Sequence, residues 1–179
     1  MNRPSAKQEV AAAALRVAAR VGLTALTYEA VAAESGKSKG GVLYHFPTRD
    51  DLARAVIERL IGLWEADAER HLGAPFAAAS VADRRAAYLL SAIDTSGELD
   101  PLGDLSALVD VMHDPALAAI WTAFRDRWVG DISALTTTQQ IALAAADGIW
   151  VDEAMQQAPY PASSRDAVVA ELLRMIRGD

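Results

Sequence analysis

Apolar side chains recur every three to four residues along almost the whole chain, and no alternation of period two lasts long enough to build a strand. Alanine and leucine, both strong helix formers, dominate, and glycine and proline punctuate the helical pattern cleanly. The expected fold class is therefore all-α, with about nine helices. A first helix is expected from about Ser5 to Val21 with Gly22 as its stop, and a second from an N-cap at Thr27 to Ser35, closed by Gly36. Ser38 can cap a third, short helix through about His45, which Pro47 ends. Thr48 opens a long helix through a capping box with Asp51, and Gly73-Ala74-Pro75 breaks it after Leu72. Further helices are expected over about Val81–Ser96, after Asp100-Pro101, and from Asp114-Pro115 to about Ser133. The last two are expected over about Thr137–Gln157 and Ser163–Arg177, with Ser163 and Asp166 spaced like another box.

Of the 179 residues, 52% are apolar, which supplies a sizeable core, and none is cysteine, which excludes disulfides, thiolate metal sites and cysteine nucleophiles. The longest uncharged stretch that could be helical, residues 132–146, is short of the roughly 20 residues that cross a bilayer. The N-terminus shows no secretory pattern, so a soluble, cytoplasmic protein without a membrane partner is expected. Net charge is −7, which taken alone argues against a nucleic-acid partner. Its distribution argues the other way. Residues 1–50 hold seven basic and four acidic side chains, while residues 51–179 hold ten basic and twenty acidic ones and no lysine at all. A basic first quarter joined to an acidic remainder suggests two tasks on one chain.

The most informative stretch runs from Leu26 to Leu52. A helix of about two turns, a glycine turn, a second short helix and a proline stop make the length pattern of a helix-turn-helix. The rod from Ser38 to His45 would be about 12 Å long, comparable to the width of the DNA major groove. Its chemistry suits that task. Ser38 and the open amides behind it can meet a phosphate or a base edge, Lys39 adds a cation, and Tyr44 and His45 offer donors at the far end. Gly40 and Gly41 each cost roughly 1 kcal/mol in a helix relative to alanine, so packing alone gives little reason to carry both. Val42, Leu43 and Phe46 are apolar and should pack mostly inward, against Val31, Ala32 and the first helix.

From about Glu9 to Ile57 the sequence resembles the N-terminal domain of the TetR (tetracycline-repressor-like) family of bacterial transcriptional regulators. The resemblance rests on Gly22-Leu23, Thr27, Val31-Ala32, Ser35-Gly36, Ser38-Lys39-Gly40, Leu43-Tyr44-His45-Phe46, Pro47-Thr48-Arg49 and Leu52. It implies a DNA-binding domain over residues 1–47 and a helical effector-binding and dimerisation domain over 48–179. It also implies that Thr27 meets a phosphate and that Ser38, Lys39, Gly40 and Gly41 face the groove. Tyr44 and His45 would touch the backbone, and Arg49 would replace a phosphate-binding lysine. Lys37 stands where a buried valine is common, so it is expected either to leave the turn more exposed or to reach DNA. Gly41 replaces a common serine or threonine.

So short a reading helix contacts few bases, so a two-fold homodimer reading two half-sites of a double-stranded operator is expected. One candidate interface stripe is Ile141, Ala145, Gly148, Asp152 and Met155; a second is Val168, Leu172 and Ile176. Two such helices per subunit would build a four-helix bundle across the axis. A small-molecule effector pocket is expected among the aromatics Trp64, Tyr88, Trp121, Phe124, Trp128 and Trp150, with Met112, His113 and Asp147 as polar or adaptable neighbours. His113 has no helical histidine partner, so no metal is expected, nor any cofactor. Gly40-Gly41 lacks Walker spacing and no nucleophile–base pair stands out, so the chain is not expected to be an enzyme. The overall expectation is a repressor released from DNA by its ligand. The rival is a helical ligand-binding or scaffold protein whose N-terminal motif binds another protein.

Overall fold

Ser5 opens the first helix, α1 (Ala6–Val21), through a reciprocal box: its hydroxyl accepts the Gln8 amide and its own amide donates to the Gln8 side chain at 2.8 Å. In the computed structural model residues 4–93, 101–111, 113–155 and 161–178 are described. Thr27 caps α2 (Tyr28–Ser35), and Gly36 closes it at φ 65°, a left-handed conformation that glycine adopts without strain. Ser38 caps α3 (Lys39–His45). Thr48 and Asp51 satisfy each other at the start of α4 (Arg49–Leu72) as the spacing predicts, the Thr48 amide donating to Asp51 and the Asp51 amide to Thr48. Next come α5 (Val81–Ile93), α6 (Pro101–Val111) and α7 (Pro115–Val129), the last opened by Asp114 accepting the amides of Ala116 and Leu117. Then α8 (Thr137–Ala154) and α9 (Ala162–Arg177) complete nine α-helices among the described residues.

Two ends differ from expectation. The seventh helix stops at Val129, not near Ser133, because Gly130 turns the chain at φ 84° and Asp131 offers its carboxylate to the Ser133 amide, which starts a separate short turn. The ninth starts one residue before Ser163: Pro161 stands at the cap position, so Ser163 lies inside the helix and is not its cap. The expected ends beyond Ile93 and Met155 lie outside the described residues.

The chain divides into two compact units, Met1–Gly62 with Leu102–Trp121, and Leu63–Pro101 with Thr122–Asp179. In the first, α1 packs on α2 and α2 on α3. Val10, Ala13, Ala14 and Val17 of α1, Val31 of α2, Val42 of α3 and Val56 of α4 are all buried. Each such valine contributes roughly 1.5–3 kcal/mol relative to an exposed position. In the second unit α5, α8 and α9 enclose Leu89, Ile93, Ala142, Ala146, Ile149, Leu172 and Ile176. This corrects the reading of the ninth helix. Leu172 and Ile176 are buried in the chain's own core and are not on an outward face, and Val168 packs half-buried at its edge. Arg165 holds the assembly at one end, donating to Glu153 at 2.7 Å and to the Ile93 carbonyl at 2.8 Å.

Candidate nucleic-acid interface

The third helix is anchored by few residues and presents the others. Val42 is fully buried, Phe46 behind it nearly so, and the Tyr28 hydroxyl donates to the Phe46 carbonyl at 3.1 Å, tying the end of α3 to α2. Ser38, Lys39 and Gly40 are exposed, and Tyr44 is 82% exposed, the most open of the large apolar side chains among the described residues. Tyr44 stands edge-on to the His45 ring at 5.2 Å. One face of α3 is thus held in the core by Val42 while the opposite face, with Tyr44, is open to solvent.

Thr27 and Ser38 each accept an amide from within their own helix, at 3.2 and 3.0 Å. That use occupies the hydroxyl oxygen and leaves the O–H proton to donate to a phosphate, so capping and phosphate binding are compatible. Neither Gly40 nor Gly41 has a positive φ, and a Cβ at either meets nothing closer than ordinary contact distance. Among the described residues nothing demands glycine at those positions.

The cations are placed less simply than the sequence suggests. Lys39 donates to Glu29 at 2.6 Å, Lys37 pairs with Glu9 at 2.8 Å, and Arg49 donates to the carbonyls of Thr24 and Leu26, both at 3.1 Å. Lys37 therefore neither sits buried in the turn nor stands alone. The hydrogen bond from Lys39 holds the Glu29 carboxyl below the usual glutamate range, so the carboxylate stays ionised. Glu9 and Glu29 carry no residue-level signal in the linear sequence, because their lysines lie 28 and 10 positions away.

Asp110, one of the acidic residues near the aromatic stripe in sequence, shows its role only in the folded chain. This carboxylate on α6 accepts the amides of Leu23 and Thr24 at 2.5 and 3.1 Å, on the turn after α1. With Arg49 taking carbonyls of the same turn, both polarities of its backbone are held. Gly22 is required there, since a Cβ would lie 3.0 Å from the Asp110 carboxylate on a backbone with φ 81°.

The residues expected to line an effector pocket do not all fall together. Trp64 meets Trp150 edge-on at 5.9 Å, and Tyr88 meets Phe124 at 5.6 Å, all in the second unit. Asp147 lies one helical turn before Trp150 on α8, in the electrostatic reach of Tyr88 and Arg125. Asp147 is exposed to solvent, yet the protein mass packed around its carboxyl raises its pKa above the usual range, an effect that Arg125 only partly offsets. Burial likewise pushes the Tyr88 phenol up, helped by the Asp147 charge. Trp128 is buried against Phe76 at 5.0 Å, and the Phe76 ring carries the guanidinium groups of Arg84 and Arg127. Phe76 sits in a three-residue turn too short to show a periodic signal. Trp121 and His113 belong to the first unit, where His113 is exposed beside a recess of about 250 Å³ that Thr24, Tyr28, Arg49 and Asp110 also line. Met112 lies outside the described residues. Of the expected interface on α8, Ile141 is 54% exposed, Gly148 has open space at its Cβ position and Met155 is exposed, whereas Ala145 and Asp152 are half-buried.

Comparison with known proteins agrees with this layout. The family described as "Bacterial regulatory proteins, tetR family" matches residues 10–56, and "Tetracyclin repressor-like, C-terminal domain" matches residues 82–177. Among solved structures, a transcriptional regulator from Rhodococcus sp. Rha1 is 23% identical with a TM-score of 0.68, over 96% of this chain and 94% of that one. A Saccharomonospora viridis protein in complex with choline is 20% identical with a TM-score of 0.67, over 97% and 96%. The multidrug-binding protein EbrR, complexed with malachite green, is 22% identical with a TM-score of 0.66, over 97% and 99%. No curated protein matches the sequence. Among the described residues no helix is long and apolar enough to cross a membrane. With both halves matched and the reading helix presented, the chain belongs to the TetR family of DNA-binding transcriptional regulators, which are not enzymes.

Proposed function

We propose that the protein is a homodimeric repressor that leaves its operator when a small molecule binds. In this division of labour residues 1–47 read DNA and residues 48–179 bind the effector and pair the subunits. The observation that carries the reading is the outward α3, with Val42 buried and Lys39, Gly40 and Tyr44 exposed. Thr27, Ser38, Tyr44 and His45 supply donors to phosphates, Gly40 and Gly41 allow close approach to the groove, and Lys37, Lys39 and Arg49 supply charge. The homodimer forms through the open stripe of α8 around Ile141, Gly148 and Met155, and its operator carries two half-sites about one DNA turn (~34 Å) apart, one for each copy of α3.

The effector site is the cluster of Trp64, Trp150, Tyr88, Phe124 and Asp147. Aromatic faces beside an under-compensated carboxylate favour a flat or quaternary organic cation. The complexes of related folds with choline and malachite green support that class of ligand. Trp64 and Arg49 ride on one continuous helix, so an occupant that displaces Trp64 has a direct route to the reading head. By linkage, the ligand weakens DNA binding only as far as it favours the non-binding state.

A salt series tests the DNA reading. Binding through several phosphates should weaken by orders of magnitude between about 50 and 200 mM salt, whereas a protein–protein groove would not. Tyr44→Ala should lower operator affinity about tenfold per subunit, the loss of one hydrogen bond to a charged acceptor, with the dimer intact by sedimentation. A Tyr44→Ala protein that falls to monomer would contradict the assignment.

A further inference from the structure

Every described cation from Lys7 to Arg49 already has an intramolecular partner. Lys7 lies over the Phe46 ring, Arg16 and Arg20 share Glu34, Lys37 pairs with Glu9, and Arg49 is bound to two carbonyls. Lys39, at the first position of the reading helix, is taken by Glu29. The Glu29–Lys39 pair differs from the others in where it stands. Glu29 belongs to the first turn of α2, just after Thr27, and its side chain is 66% exposed beside the 54% exposed Lys39. A carboxylate there is stabilised by the positive end of α2 and by the Lys39 ammonium, the two charges that a DNA phosphate at the same place would use.

We infer that Glu29 is an internal phosphate mimic, a specificity-determining residue that occupies Lys39 in the free protein and must surrender it to DNA. The inference rests on the DNA-binding reading above. Exposed ion pairs are weak, so Glu29 gives up Lys39 readily to a phosphate held in register by the rest of the interface. On mixed-sequence DNA the register is loose. There the retained Glu29 charge repels the backbone and Lys39 contributes little, so Glu29 widens the gap between specific and non-specific binding.

The test uses the full-length protein and a labelled mixed-sequence duplex of about three helical turns, titrated by fluorescence anisotropy over a salt series. Glu29→Gln should tighten binding to this duplex about threefold to tenfold and steepen the log affinity against log salt slope by about 0.9 for each lysine freed. Glu171→Gln, an exposed carboxylate paired with Arg174 on α9, makes the same change in net charge and should alter affinity by less than about twofold. In a Lys39→Gln background the Glu29→Gln gain should shrink to what relief of the backbone repulsion alone supplies, since the rest of the coupling runs through that lysine. An affinity for Glu29→Gln no tighter than wild type, or matched by Glu171→Gln, or equally improved without Lys39, overturns the proposal while leaving the DNA reading intact. If wild type and all variants fail to bind the duplex and sheared genomic DNA at low salt, the DNA reading and the proposal fall together.

Discussion

Among the described residues no neighbour requires glycine at Gly40 or Gly41. Each has room for a methyl group, since an added Cβ would stand 3.9 Å from Ser38 Oγ at Gly40 and 3.4 Å from it at Gly41, and each sits in ordinary helical backbone. Alanine at Gly40 should therefore stabilise the fold by about 1 kcal/mol, a rise in Tm of about 2–4 °C, while weakening operator binding. A stabilised variant with undiminished affinity would show that no close approach occurs there. Asp147 makes a different residue-scale prediction. Its folded carboxyl holds a proton to higher pH than the unfolded one, so its ionisation opposes folding. Asp147→Asn should thus raise the Tm of the ligand-free protein at pH 7, and the gain should vanish as pH falls below the ordinary aspartate value of about 4. Thermal melts of both proteins from about pH 3 to 8 would check the sign.

At the scale of elements, α3 is seven residues long and could not stand alone. Its position follows from Val42 and Phe46 in the core and from α2, to which Tyr28 ties it. The turn before α2 is in turn held from both sides, by Asp110 on its amides and Arg49 on its carbonyls. Removing the carboxylate with Asp110→Ala leaves two backbone donors without their acceptor, at a cost of about 1–3 kcal/mol. The expected signature is local: faster hydrogen exchange at the Leu23 and Thr24 amides, with the core amides of α8 and α9 unchanged. Uniform acceleration throughout would mean that Asp110 holds the whole fold and not the turn. The caps of α2 to α4 were legible because each closes within three residues, Thr27 on Ala30, Ser38 on Gly41 and Thr48 on Asp51. The Asp110 clamp was not, because 86 and 87 positions separate its partners.

For the whole molecule, the decisive element is α8. Its buried side, Ala142, Ala146 and Ile149, packs within the chain, while Ile141 and Met155 face outward with open space over Gly148. An arginine in place of Ile141 would put a charge at the centre of the proposed subunit contact without touching the core. Ile141→Arg should give a monomer by sedimentation velocity with unchanged helical content, and operator affinity should fall because one half-site is lost. A dimer that persists would place the contact elsewhere on the molecule.

What the linear chain determined by itself was local: the helical period, the caps and stops, the helix-turn-helix and the separation of charge between its first quarter and the rest. These depend on residues within a turn or two of each other, so spacing alone expresses them. Tertiary structure alone decided that Lys37 and Lys39 are paired with Glu9 and Glu29, that Leu172 and Ile176 face inward, and that Trp128 meets Phe76. Each of those outcomes depends on which helix faces lie against one another, and a helical period specifies that a face is apolar without specifying what covers it.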